Sequence, residues 1–258
     1  MNRLIYFLIV YLALILYVNA GGRLIKPSGG GKPAKVDMPM VGGLPLQITQ
    51  YGLDLIVHFE VGGKAYYSKV YHRPIWPKGA SGVTIGIGYD LGYNTRAQIE
   101  ADWKPYVNAK TLALLKSCAG IKGWKARSHA QRLKYQVSIP LDAAMKVFSK
   151  RTVPRFALLT KKTFPGIENA HPFIQDAMTS QSFNRGTSVK GHSRRHVLWQ
   201  QQAAKRGEYQ KLPQLIRDSK VVWANKHSIR RGIWRRRDTE ADHGEGKGQF
   251  IPLAHRLK

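Results

Sequence analysis

The sequence predicts an α+β fold that is mostly α, with a small β-element inserted early and a larger helical lobe after it. Three observations lead there. Leu53, Ile56, Val57 and Glu60 follow Thr49 at the 3.6-residue spacing of one helix face. Residues 64–90 read as short strands and turns: Ala65-Tyr66-Tyr67, then a loop holding Pro74, Pro77 and Gly79, then Val83-Thr84-Ile85. From Thr95 onward the pattern is helical, interrupted near Gly120, Gly123, Pro140, Pro154, Pro165, Pro172 and Pro213.

The elements follow in order. Leu4 to Val18 is an unbroken run of fifteen apolar residues, preceded by Arg3 and followed by Val18-Asn19-Ala20 and Gly21-Gly22. The run is shorter than the ~20 residues of a spanning helix. Residues 1–20 therefore read as a cleaved export signal or a retained membrane anchor, which places the protein in the periplasm, the cell envelope or outside the cell. Residues 21–47 carry Ser28-Gly29-Gly30-Gly31, Pro27, Pro33, Pro39, Pro45 and Gly42-Gly43, the composition of a flexible spacer. Residues 48–258 are expected to form the folded domain. Its first helix starts after Thr49 as N-cap and stops at Gly62-Gly63, which puts Glu60 in the last turn.

Composition bounds the partners. The 258 residues carry 42 Lys plus Arg against 15 acids, a net charge of +27. Such a field draws the chain to polyanions without choosing among them. Six Trp and eight Phe are enough to fill a core. The single cysteine, Cys118, excludes an intramolecular disulfide and lies in an apolar helical pattern, as a buried structural thiol would.

Few acids are placed for carboxylate chemistry. Glu60 and Asp90 are the only two between residues 55 and 99. Glu60 sits between Phe59 and Val61 at a helix C-terminus, where apolar company and the macrodipole both favour the protonated form that a general acid needs. A Glu on an amphipathic helix is equally a solvated surface charge. Asp90 follows the Gly-rich segment Gly82-Val83-Thr84-Ile85-Gly86-Ile87-Gly88-Tyr89, in which Thr84 offers a hydroxyl. One protonated carboxyl and a second polar group that holds water or stabilises a cation is the chemistry of glycoside hydrolysis. The glycines alone would serve tight turns. As a dinucleotide motif, Gly86-x-Gly88-x-x-x-Gly92 has the wrong last spacing and no preceding βαβ unit.

Two further patterns are weaker. His192 and His196 have the i, i+4 spacing of zinc ligands, but Arg194 and Arg195 lie between them and no HExxH is present. No metal or cofactor is expected. The basic runs Arg194-Arg195, Arg230-Arg231 and Arg235-Arg236-Arg237, with Trp223 and Trp234 among them, would permit base stacking. No zinc-finger, RNA-recognition or helix-turn-helix signature accompanies them, and the export segment also argues against nucleic acid.

Taken in order, four segments resemble the phage-type lysozymes and, more closely, pesticin-like muramidase domains. They are Phe59-Glu60-Val61-Gly62-Gly63-Lys64-Ala65-Tyr66-Tyr67, the long stretch from Ile75 to Tyr93, Ala177 to Gly186, and Arg231 to Ala241. The resemblance covers residues 48–245. It implies a lysozyme-like fold, with the β-element after the catalytic helix, and cleavage of the β-1,4 bond between N-acetylmuramic acid and N-acetylglucosamine. It implies Glu60 as general acid and Thr84 as the family's threonine. Asp90, lying after Thr84 as in the pesticin-like pattern, either orients water or stabilises the cation. Tyr66, Tyr67, Trp76, Tyr89 and Asn184 are candidates for substrate contact, with core packing an equal explanation for the aromatic ones. The partners expected are peptidoglycan and the anionic bacterial envelope, with a transient membrane contact through residues 4–20, and a monomer. The rival expectations are a catalytically inactive peptidoglycan-binding protein and a basic nucleic-acid-binding protein.

Overall fold

Among the described residues helix dominates, and strand is confined to one two-stranded antiparallel sheet. The computed structural model describes residues 40–63, 66–225 and 227–247. The expectations for residues 1–20, for most of the spacer and for the tail beyond Lys247 lie outside the described residues. So does Ala65.

The described chain forms two compact units, one of residues 60–152, the other of residues 40–59 and 153–247. Helix α1 (Gln50–Val61) carries the chain from the second to the first. Thr49 caps it as expected: the Gly52 N–H donates to Thr49 Oγ1 at 3.0 Å. It stops because Gly62 takes a left-handed φ of +68°, which a side chain would resist.

In the first unit, the expected strand at Tyr66-Tyr67 is instead a wide helical turn, Tyr67–Tyr71, closed by His72 N–H donating to Tyr67 O at 3.0 Å. Aromatic strand preference is a preference for packing, and burial supplies that here without a sheet. The Tyr67 ring is buried and its hydroxyl donates to Ile139 O at 2.9 Å. The sheet follows: β1 (Thr84–Ile85) pairs with β2 (Tyr89–Asp90), Thr84 opposite Asp90 and Ile85 opposite Tyr89. On the other side of β1, Ile75 and Thr84 exchange two backbone hydrogen bonds of 2.9 and 2.8 Å. Helices α2 (Arg96–Trp103), α3 (Ala109–Lys116), α4 (Trp124–Leu133) and α5 (Leu141–Val147) complete this unit. Thr95 and Gln98 form a capping box on α2, which buries Ile99 and Trp103.

The second unit is built around α7 (Pro172–Arg185), buried from Phe173 to Arg185. Helices α6 (Val153–Thr163), α8 (Arg195–Lys205), α9 (Leu212–Asp218) and α10 (His227–Gly244) surround it, with α10 packed on both α7 and α9. Because α7 carries polar residues, its burial requires partners. Asp176 accepts from Thr49 N–H, Thr49 Oγ1 and His243 Nε2 at 2.9, 2.6 and 2.9 Å. Gln175 accepts from Gln47 N–H at 2.8 Å, which pins the last residues of the spacer to this helix. Pro172 and Pro213 stand at the first turns of α7 and α9 and Pro140 caps α5, so these prolines mark where helices start.

Candidate active site

Glu60 occupies the last turn of α1 and is 6% exposed. A carboxyl there faces the negative end of the helix dipole in a setting with little water. Tyr66 packs against Tyr71, their ring centres 5.8 Å apart. Burial, then Tyr66, then Glu60 raise the Tyr71 hydroxyl well above the usual phenol range, so Glu60 lies near enough to bear on that ring's ionisation. Two residues before it, His58 is pushed down to about 3 by burial, Arg235 and Arg236, and is a neutral imidazole at pH 7.

Thr84 and Asp90 meet across the sheet. Both are buried. The Thr84 hydroxyl has no hydrogen-bond partner among the described residues. The Asp90 carboxylate, by contrast, accepts from two backbone N–H groups. Gly82 N–H donates to its two oxygens at 3.1 and 3.0 Å, and Gly92 N–H donates to Oδ1 at 2.8 Å. Burial outweighs these donors and pushes Asp90 up to about 6. The glycines are required by proximity. A Cβ on Gly82 would stand 2.3 Å from Asp90 Oδ1, and one on Gly92 would stand 2.5 Å from Ile121 O. Asp90 is thus the clasp of the hairpin, and Thr84 is the group the clasp holds in place.

The other sequence candidates divide. Tyr67 and Tyr89 are core residues with internally used hydroxyls, Tyr89 donating to Asp102 at 2.8 Å and meeting Trp103 edge-on. Packing, the equal alternative, accounts for both. Tyr66 and Trp76 are partly exposed. Trp76 lies 5.1 Å from Trp124 between ring centres, and its indole N–H donates to Ser81 O at 3.1 Å. Asn184 belongs to the second unit, where it is buried and accepts from Arg237 at 2.8 Å. Its amide is a member of the α7–α10 network.

His192 contacts Arg195 at 2.7 Å. His196 is buried and pushed down to about 4 by burial, Arg185 and Arg195. Among the described residues, no group of three His, Cys, Asp or Glu side chains could hold a metal ion. Cys118 is fully buried, and burial raises its thiol above the ordinary range.

Two aromatic residues escaped the sequence reading. Tyr71 lay in a segment taken for strand and turn. Trp124 carried a legible signal. Ala126, Ala130 and Leu133 mark the buried stripe of α4, and Trp124 falls outside it, in line with Arg127, Gln131 and Lys134 at i+3, i+7 and i+10.

A family model described as a domain of unknown function (DUF8812) matches residues 57–152. The matched stretch nearly coincides with the first compact unit and takes in Glu60, Thr84 and Asp90 but not Asn184. None of the curated proteins matches the chain.

Proposed function

We propose that this chain is an exported peptidoglycan hydrolase of lysozyme-like fold that cleaves the β-1,4 bond between N-acetylmuramic acid and N-acetylglucosamine. Glu60 donates a proton to the leaving glycosidic oxygen. Thr84 orients the attacking water through its hydroxyl. Asp90 fixes the hairpin that carries Thr84, through the Gly82 and Gly92 N–H groups that donate to its carboxylate, rather than attacking the sugar. Water then adds to the sugar directly, with no covalent glycosyl–enzyme bond through Asp90. The observation that carries this reading is the Thr84 hydroxyl. It is buried, without a partner among the described residues, and held on a strand fixed on both sides, in the same compact unit as the buried acid at the end of α1. A buried polar group left unsatisfied calls for an explanation, and a water or substrate contact supplies one. The four segments resembling phage-type and pesticin-like muramidases support the same assignment.

The test is Glu60→Gln on purified sacculi. Clearing should fall by about 10²–10⁴-fold, the usual worth of general acid catalysis, while the melting curve and sacculus binding persist. Mass spectrometry of wild-type digests should show reducing-end muramic acid. Full clearing by the Gln variant would remove Glu60 as the acid. Wild-type protein that binds sacculi without clearing them would establish a binding protein instead.

A further inference from the structure

The first unit carries an open cleft of about 760 Å³ that the proposed chemistry does not use. Its walls are Trp76 and Trp124, with Lys78, Arg127 and Lys134 around them. Trp124 is 70% exposed, an unusual state for an indole on a helix. Tyr135, just beyond the cleft, is 80% exposed and lies under both Arg73 and Lys134.

The aromatic pair is built rather than incidental. The Ser81 carbonyl accepts from the Trp76 indole at 3.1 Å and from Gly123 N–H at 2.9 Å, immediately before Trp124. One backbone oxygen thereby ties the Trp76 ring to the backbone at the start of the helix that carries Trp124. Arg127 stands 5.1 Å from the centre of the Trp124 ring, which puts a guanidinium at the edge of an apolar face.

The charge is uncompensated. Residues 103–141 hold eight Lys and Arg and no acid. The nearest acids are committed elsewhere: Glu100 to Lys116, Asp102 to Arg151 and Tyr89, Asp142 to Lys146. No carboxylate among the described residues pairs with Lys78, Arg127 or Lys134. Exposed apolar rings ringed by unpaired cations mark a binding surface for an anion that also has apolar faces.

We propose that this cleft is a second binding site, taking an anionic glycan strand. Sugar rings lie on Trp76 and Trp124, and carboxylates or phosphodiesters of the polymer lie on Arg127, Lys134 and Lys78. The two indole planes meet at 43°, which offers two differently tilted faces to successive sugars. The choice of a glycan rests on the hydrolase reading above; the existence of the site does not. The cleft would keep the enzyme on insoluble wall between cuts.

The experiment measures binding of Glu60→Gln protein to cell walls, so that turnover does not intrude. Trp124→Ala, and separately Arg127→Ala with Lys134→Ala, should each weaken binding about tenfold, the loss typical of truncating an anchoring side chain. Trp124→Phe, which keeps a ring, should recover most of it. Lys110→Ala with Lys162→Ala removes the same charge from exposed positions outside the cleft and should stay within about twofold. Walls stripped of phosphodiester polymers separate the two anion sources. Retained Trp124-dependent binding assigns the carboxylates of peptidoglycan, and its loss assigns the phosphodiesters; either supports the site. Binding unchanged by Trp124→Ala, an equal loss in the Lys110/Lys162 control, or tighter binding to single-stranded oligothymidylate than to walls would overturn it. Hydrolysis unaffected by Glu60→Gln would refute the catalytic reading and leave this result standing.

Discussion

A hydroxyl that is buried without a partner should cost the fold something, and Thr84 is such a group. Replacing it by a methyl of the same shape removes that cost. Thr84→Val is therefore expected to keep stability or raise it by up to about 1 kcal/mol, while hydrolysis of sacculi collapses. Paired thermal melts and turbidity assays check both halves. A loss of stability beyond about 1 kcal/mol would mean that the hydroxyl serves the fold and not the reaction. Asp90 behaves oppositely. Its carboxyl is raised to about 6 from the ordinary 3.8, chiefly by burial, so the folded chain holds this proton more tightly than the unfolded one. Between pH ~4 and ~6 the native state then binds more protons, and its stability falls as pH rises through that window, by up to about 3 kcal/mol. Above the folded value the effect is complete. Urea melts across this range should show that slope in the wild type and not in Asp90→Asn, where there is no proton to lose.

At the scale of elements, the helix with the least freedom is α7. Its polar residues are buried against α10, and Glu240 is the acid at the centre. Ser180 Oγ donates to it at 2.6 Å, Arg236 Nε at 3.0 Å and Arg237 Nη2 at 3.1 Å. Both guanidinium groups are fully buried. Removing the carboxylate leaves two desolvated cations beside each other, and breaking such a cluster typically costs about 3–5 kcal/mol. Glu240→Gln is expected to lower stability by that order in denaturant titrations, and Glu240→Asp by less. The residues of α10 in this network were read from the sequence as basic runs. Arg236 and Arg237 lie inside the protein, where their charges meet Glu240, whereas Lys125, Arg127, Arg132 and Lys134 on and just after α4 are exposed.

For the molecule as a whole, the excess of 42 bases over 15 acids sets the ionic-strength response. Steering toward an anionic wall decays as the Debye length shrinks from about 10 Å at 0.1 M salt. Clearing of sacculi should fall more steeply with added sodium chloride than cleavage of a short neutral chito-oligomer. Rates measured side by side over a salt series decide it, and equal slopes would remove steering from the account.

The sequence by itself determined what is local. Thr49 as a cap, the stop at Gly62, Glu60 in the last turn and the turn-rich stretch around Thr84 all depend on neighbours within a few residues, and backbone propensity and periodicity report such neighbours directly. The helical character of the chain after Thr95 was legible for the same reason. Only the tertiary structure decided which side chains are enclosed. Tyr67 and Tyr89 have the same composition signal as a sugar platform, and partners at Ile139 and Asp102 make them core instead. Asp90 is expected from the sequence to orient water or stabilise a cation, and only the hairpin brings Gly82 and Gly92 N–H within hydrogen-bond reach of its oxygens. In each case the deciding partner is set by how the chain folds back on itself. A side chain's remaining hydrogen-bond capacity is a property of that enclosure, and no periodicity along the chain encodes it.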